Sequence, residues 1–276
     1  MGAVLALLSS ALWGTADFLG GFMSRRYHPV SVYGWAQVFG CAALIAYAIT
    51  TGAWRDDLGY LPWAIATGVV GLFAMLAFYT ALATGPMGIV SPLVSVSVVI
   101  PLGYALIRGE SPAPLQVLGI VIAIIGILLA SGPELNDAKS ARPLLLAALS
   151  ALGFGVFTIF LDLGSEVSPV MTVTGSRITV VALMTIVAAI ARSVGGIVGR
   201  DLGVIAALGI LEAASNVMFA AAIAMDMLST TAVLGSLYPV TTAVLAAIVL
   251  RERLKPIQYV GVVAAMSGVV LISGFG

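Results

Sequence analysis

Apolar stretches of about twenty residues recur along almost the whole chain, and nothing else limits its fold as tightly. An α-helix needs about 20 apolar residues to cross the hydrocarbon layer of a bilayer. Stretches of that kind, separated by charged or Gly/Pro-rich breaks, fall near 2–23, 30–50, 61–83, 87–107, 114–131, 143–163, 169–191, 202–225, 229–250 and 256–275. They are about twice the length of a transmembrane β-strand and show no in/out alternation. Ten spans occupy roughly 210 positions, and the rest of the 276 residues make loops too short for a soluble domain. Trp13 and Asp17 interrupt the first stretch, which also lacks a basic leader, so it reads as a span rather than a secretory signal.

Composition agrees. Only 9% of residues are charged, against about 25% in soluble domains, and 61% are hydrophobic. Such a chain cannot cover a water-exposed surface, which excludes a soluble enzyme and a disordered segment. The formal net charge is zero, so no basic face is available for nucleic acid. A single cysteine, Cys41, excludes an internal disulfide and a Cys-based zinc site, and a single histidine, His28, excludes a multi-His metal site. There is no Walker A loop, HExxH or GxSxG motif, and Asp17 and Asp162 form no paired-aspartate motif. Neither catalysis, a cofactor nor a metal is expected.

Loop charge predicts orientation. Loops after odd-numbered spans carry Arg25, Arg26, Lys139, Arg142, Arg192, Arg200, Arg251, Arg253 and Lys255; loops after even-numbered spans carry only Arg55 and Arg108. The positive-inside rule puts the odd loops in the cytoplasm and both termini outside.

The chain also repeats itself. Residues 110–132 read ESPAPLQVLGIVIAIIGILLASG and residues 252–274 read ERLKPIQYVGVVAAMSGVVLISG. At an offset of 142 they share Glu110/Glu252, Pro114/Pro256, Gln116/Gln258, Gly119/Gly261, Gly126/Gly268 and Gly132/Gly274. Each half then has five spans, and an odd number makes the second half enter the membrane upside down relative to the first. Inverted repeats of this kind are the architecture by which many secondary transporters alternate access. Gly119 and Gly126, like Gly261 and Gly268, are nearly two turns apart on one helix face, where small residues let another helix come close. Glu110 and Glu252 lie at membrane edges beside Arg108, Arg251 and Arg253, and read as helix-end and orientation devices.

The two Glu-x5-Gln-x2-Gly-x6-Gly segments, with Leu12-Trp13-Gly14 in the first span and Arg177 eight residues after Pro169, resemble the ten-helix EamA-type branch of the drug/metabolite transporter superfamily. The resemblance covers nearly the whole chain. It implies a secondary carrier with a central cavity lined by helices of both halves, exporting, or less often importing, small metabolites such as amino acids or amines. Many members keep their termini in the cytoplasm, the reverse of what the loop charges predict here.

An ionisable side chain at mid-bilayer costs at least about 2.5–3.5 kcal/mol, so each needs a reason. Arg177 lies about 12 Å into the seventh span and Glu212 about 15 Å into the eighth, both near the midplane; Asp17 lies about 10 Å from the cytoplasmic side. The seventh and eighth spans are sequential and antiparallel, so Arg177 and Glu212 can meet. Glu212 is then either a proton or cation site or half of a structural ion pair. Arg177 binds a carboxylate or holds Glu212 charged, and Asp17 is a further binding group or a partner for Arg177. Gln37 is the repeat counterpart of Arg177. Glu212 shares a helix face with Ser215, Asn216 and Phe219; Asp17 shares one with Ser10 and Trp13; Tyr238 shares one with Thr231 and Thr242. Pro92, Pro101 and Pro239 free backbone carbonyls and are candidate hinges or plain kinks.

The expectation is an all-α integral membrane protein of ten helices: a first repeat over 1–132, a linker over 133–142 and a second repeat over 143–276. It would move a small metabolite across the cytoplasmic membrane by alternating access, outward, with protons as a coupling partner and no oligomer required. The alternatives are an uncoupled facilitator, a sugar-type uptake carrier, or a non-transporting scaffold subunit.

Overall fold

A computed structural model of the chain describes residues 1–84, 90, 94, 96–130, 141–191, 195–249 and 256–274. The helices are α1 (Gly2–Ser24), α2 (Pro29–Thr51), α3 (Leu61–Thr84), α4 (Val99–Ile107), α5 (Pro114–Ala130), α6 (Ala141–Ser165), α7 (Pro169–Ala191), α8 (Gly199–Met225), α9 (Leu228–Gly235), α10 (Tyr238–Val249) and α11 (Pro256–Gly274). No β-strand occurs among the described residues. Six of these helices, α1, α2, α3, α6, α7 and α8, are long and apolar enough to cross a membrane.

Helix ends follow from local chemistry. Proline at the first position of α2 lacks an N–H that would have no helical partner there anyway. Gly52 ends α2 in the left-handed conformation, at φ 78°, which glycine adopts without a Cβ clash. The stretch 229–250, read from sequence as one span, is two helices: α9 ends at Gly235 and α10 starts at Tyr238. Pro239 sits in the first turn of α10 and cannot donate to the carbonyl of Gly235, so the ladder breaks between them. Within 87–107, a 3-10 turn at Val96–Val98 leads into α4, and Pro101 occupies the first turn of that helix. Pro92 lies outside the described residues.

Large apolar side chains face outward, and a set of polar ones is buried among the apolar core. Leu8, Ile49, Phe73, Ile186, Ile190 and Ile248 are exposed, whereas Ser9, Gln37, Thr67, Arg177, Glu212 and Ser215 are buried. An apolar surface of that kind is stable against lipid tails and unstable in water. Between helices, close backbone approach replaces hydrophobic drive. A Cβ added at Gly268 would lie 2.6 Å from the Gly119 carbonyl, and one at Gly68 would lie 2.6 Å from the Ser176 carbonyl.

The main packing partners are α1 with α8, α3 with α6, α2 with α8, α3 with α7, α2 with α7, and α5 with α11. Residue contacts recur at an offset of 141. Trp13 and Phe219 have ring centroids 4.8 Å apart, and Phe154 and Phe78 have theirs 6.0 Å apart. Gly14 packs on Thr241, and Gly155 on Ile100. Each contact joins a residue before 133 to one after 142.

Polar ties hold the helix ends. Asp201 takes Arg26 at 2.7 Å and the Tyr27 hydroxyl at 2.5 Å. Elsewhere Arg108 reaches Glu166 at 3.0 Å and Asp162 at 3.4 Å. The α9 N-terminus has no cap of its own, and Glu110 supplies one from the α4–α5 connection. Its carboxylate accepts from the backbone N–H of Leu228 at 2.9 Å and of Ser229 at 3.0 Å, and from the Ser229 hydroxyl at 2.6 Å. Glu110→Ala removes all three bonds and is expected to cost about 1–2 kcal/mol, the upper part of the capping range. Thermal unfolding in detergent measures it; an unshifted midpoint would mean that water caps α9 equally well.

Candidate binding cavity

Helices α1, α2, α3, α4, α6, α7, α8, α9 and α10 surround a cavity of about 100 Å³, the size of a small solute rather than a peptide. Its charged lining is Asp17 from α1, Arg177 from α7 and Glu212 from α8. Aromatic faces come from Trp13, Tyr33, Phe78, Phe154, Phe219 and Tyr238.

Arg177 and Glu212 form a closed ring with Gln37. The Arg177 Nη1 donates to Glu212 Oε1 at 3.0 Å and to Gln37 Oε1, and Gln37 Nε2 donates to Glu212 Oε2 at 3.0 Å. Both carboxylate oxygens and both ends of the amide are engaged. Arg177 is 5% and Glu212 4% exposed, and Gln37 is fully buried. The ring brings α2, α7 and α8 to one point. Small residues permit this: a Cβ at Gly40 would sit 2.7 Å from the Gly209 carbonyl, and one at Gly209 would run into the carbonyl of Ala36. Gln37 does not line the cavity; it braces the two charged groups that do.

Asp17 is different. It lines the same cavity, is 9% exposed, and makes no hydrogen bond or ion pair with any of the described residues. Arg177 is bonded to Gln37 and Glu212 instead. Contacts of Gly2 with Asp226, Ser9 with Ser215 and Tyr27 with Asp201 make α1 and α8 antiparallel. That register puts Asp17 within about one turn of Glu212 and about two turns from Asn216 along the α8 backbone. The Asn216 Nδ2 donates to the backbone carbonyl of Glu212 at 2.8 Å, while its Oδ1 is buried without a partner. The Thr67 hydroxyl, also on the cavity wall, is unpartnered as well.

Other residues singled out from sequence fall elsewhere. The Thr242 hydroxyl bonds to the carbonyls of Gly14 and Tyr238, joining α10 to α1. Ser10 and Thr231 are buried away from the cavity lining. Pro101 touches the cavity and Pro239 does not. Gly119, Gly126, Gly261 and Gly268 are buried in α5 and α11 and do not line the cavity. Lining from α3 and α6 was missed from sequence, yet Phe154 is the repeat counterpart of Trp13, and Phe78 that of Phe219.

A helical bundle with an apolar exterior around a partly polar cavity is the build of a multi-pass membrane protein. The EamA-like transporter family matches the chain twice, over residues 1–132 and 141–274, and the chain belongs to that family, within the drug/metabolite transporter superfamily. Its members are transporters, which implies a small-molecule substrate and a bilayer. No curated protein matches the sequence. One crystal structure of another protein superposes with a TM-score of 0.77 at 18% identity, covering 99% of this chain and 96% of the other, a likeness of fold.

Proposed function

We propose that this protein is a secondary transporter of ten spans in two inverted five-helix repeats, 1–132 and 143–276. It moves a small metabolite across the cytoplasmic membrane by alternating access, in the export direction. One observation carries the reading: three charged side chains converge on a cavity walled by helices of both halves. Such groups are expensive in a membrane and mark solute or proton pathways. Contacts that recur at an offset of 141 support the inverted repeat, and the helix break between α9 and α10 and the proline in α4 lie where the cavity wall would flex. Loop charge supports termini on the outer side.

Proton coupling runs through Asp17 or Glu212. Both line the cavity, and Asp17 is the one with no bonding partner among the described residues. The test is flux in proteoliposomes under an imposed pH gradient, with a panel of amino acids, amines and sugars. Asp17→Asn is expected to abolish pH-driven flux. Unchanged flux in both Asp17→Asn and Glu212→Gln ends the coupling proposal. Absence of any solute flux by the folded protein favours the scaffold reading.

A further inference from the structure

We propose that the cavity receives a protonated primary amine on an apolar, aromatic body, with the Asp17 carboxylate and the Asn216 amide oxygen accepting its N–H groups. This rests on the transport reading of the cavity and specifies its substrate class.

Charge is the first argument. The charged side chains on the wall are Asp17, Glu212 and Arg177. Arg177 and Glu212 cancel at 3.0 Å, and Gln37 bonds to both. One carboxylate, Asp17, is left over. A bound monocation neutralises it, a zwitterion leaves the site with the same surplus, and an anion doubles it. A carboxylate away from water strongly favours the first of these.

Hydrogen-bond capacity is the second, independent argument. The Asn216 amide cannot be turned round: the end that meets the Glu212 carbonyl at 2.8 Å must be the donor, which fixes the oxygen as the free end. That oxygen is buried and unpartnered among the described residues, and Asn216 is on the cavity wall. A buried acceptor without a donor costs about 1–3 kcal/mol, which a ligand N–H recovers. Asp17 and Asn216 therefore offer acceptors to one group. A primary ammonium has three N–H donors for them; a quaternary ammonium has none. The titratable groups around Asp17 on the other helices are Glu212 on α8, Tyr238 on α10 and Tyr79 on α3.

The third argument is the wall itself. Trp13 and Phe219, in contact at 4.8 Å, sit one turn from Asp17 and Asn216 respectively, and Tyr238 closes the same side. Aromatic faces next to a carboxylate favour a cation with an apolar body over a sugar or a multiply hydroxylated solute.

A matched series tests this on the purified full-length protein: phenethylamine, its N,N,N-trimethyl derivative, phenylalanine and 3-phenylpropionate, each titrated against thermal unfolding at neutral pH. Phenethylamine is expected to give a saturable rise in Tm, the trimethyl derivative to bind at least about tenfold more weakly, and the amino acid and the acid to give no shift. Asp17→Asn is expected to lose the amine response, and Asn216→Ala to weaken it about tenfold. The proposal is overturned if phenylalanine or 3-phenylpropionate binds as tightly as the amine, if the trimethyl derivative matches it, or if none of the four binds to folded protein. Should Asp17→Asn fail to fold, the four ligands on the parent protein decide alone. Amine binding without liposome flux would sink the transporter reading and keep the amine site; flux of another solute without amine binding would do the reverse.

Discussion

Methionine in place of Arg177 is expected to lower stability by about 3–5 kcal/mol, the usual cost of stripping one partner from a buried ion pair. The guanidinium gives Glu212 its countercharge at 3.0 Å and also holds the Gln37 amide. Without it, a carboxylate that is 4% exposed keeps a single amide donor at 3.0 Å and no positive charge. The pair itself contributes less than its disruption costs, because two charges must be drawn out of water to form it. The double variant Arg177→Met with Glu212→Leu should therefore regain most of the loss while remaining unable to transport. Thermal unfolding in detergent gives both numbers. A single variant as stable as the parent would mean that cavity water, rather than Arg177, satisfies Glu212.

How far this arrangement is legible in the sequence differs from residue to residue. The long apolar runs specify α1, α2, α3, α6, α7 and α8 nearly to their ends, since length and hydropathy are what a bilayer selects. The break between α9 and α10 is not legible: Pro239 reads the same inside a span as at the start of a new one, and only the position of the break tells them apart. Arg177 and Glu212 can be brought together on paper because sequential antiparallel helices share a depth scale. Gln37 can be suspected as the counterpart of Arg177. That Gln37 braces the pair from behind, and leaves Asp17 alone on the cavity wall, depends on helix rotation, which hydrophobic periodicity does not report in a chain apolar on every side. The aromatic lining from α3 and α6 hides for a related reason. Phe78 and Phe154 look like any buried phenylalanine until the repeat pairs them with Phe219 and Trp13.

Alanine at Gly209 is expected to destabilise by about 1–3 kcal/mol, as overpacking of a close contact does, and alanine at Gly203 on the same helix is expected not to. The added methyl at 209 would run into the carbonyl oxygen of Ala36, with the carbonyl carbon at 2.8 Å and the Ala36 Cα at 3.1 Å. All three are backbone, so no rotamer change relieves the clash, and α2 must move away from α8. At Gly203 the methyl meets nothing within 4 Å, and it gains the helix preference of alanine over glycine, up to about 1 kcal/mol. The two substitutions add the same atoms to one helix and differ only in what they face. The displacement at 209 has a further consequence, because Gln37 on α2 bonds to Glu212 on α8 one turn from the contact. Separating the helices lengthens that bond and loosens the bracing of Arg177, so Gly209→Ala should reduce ligand binding as well as stability, whereas Gly203→Ala should leave binding alone. Equal Tm shifts for the two would show that α2 and α8 pack less closely than the Ala36–Gly209 contact requires. A loss of stability at 209 with binding intact would show that the ring tolerates helix movement and that the charged wall is set by α7 and α8 alone.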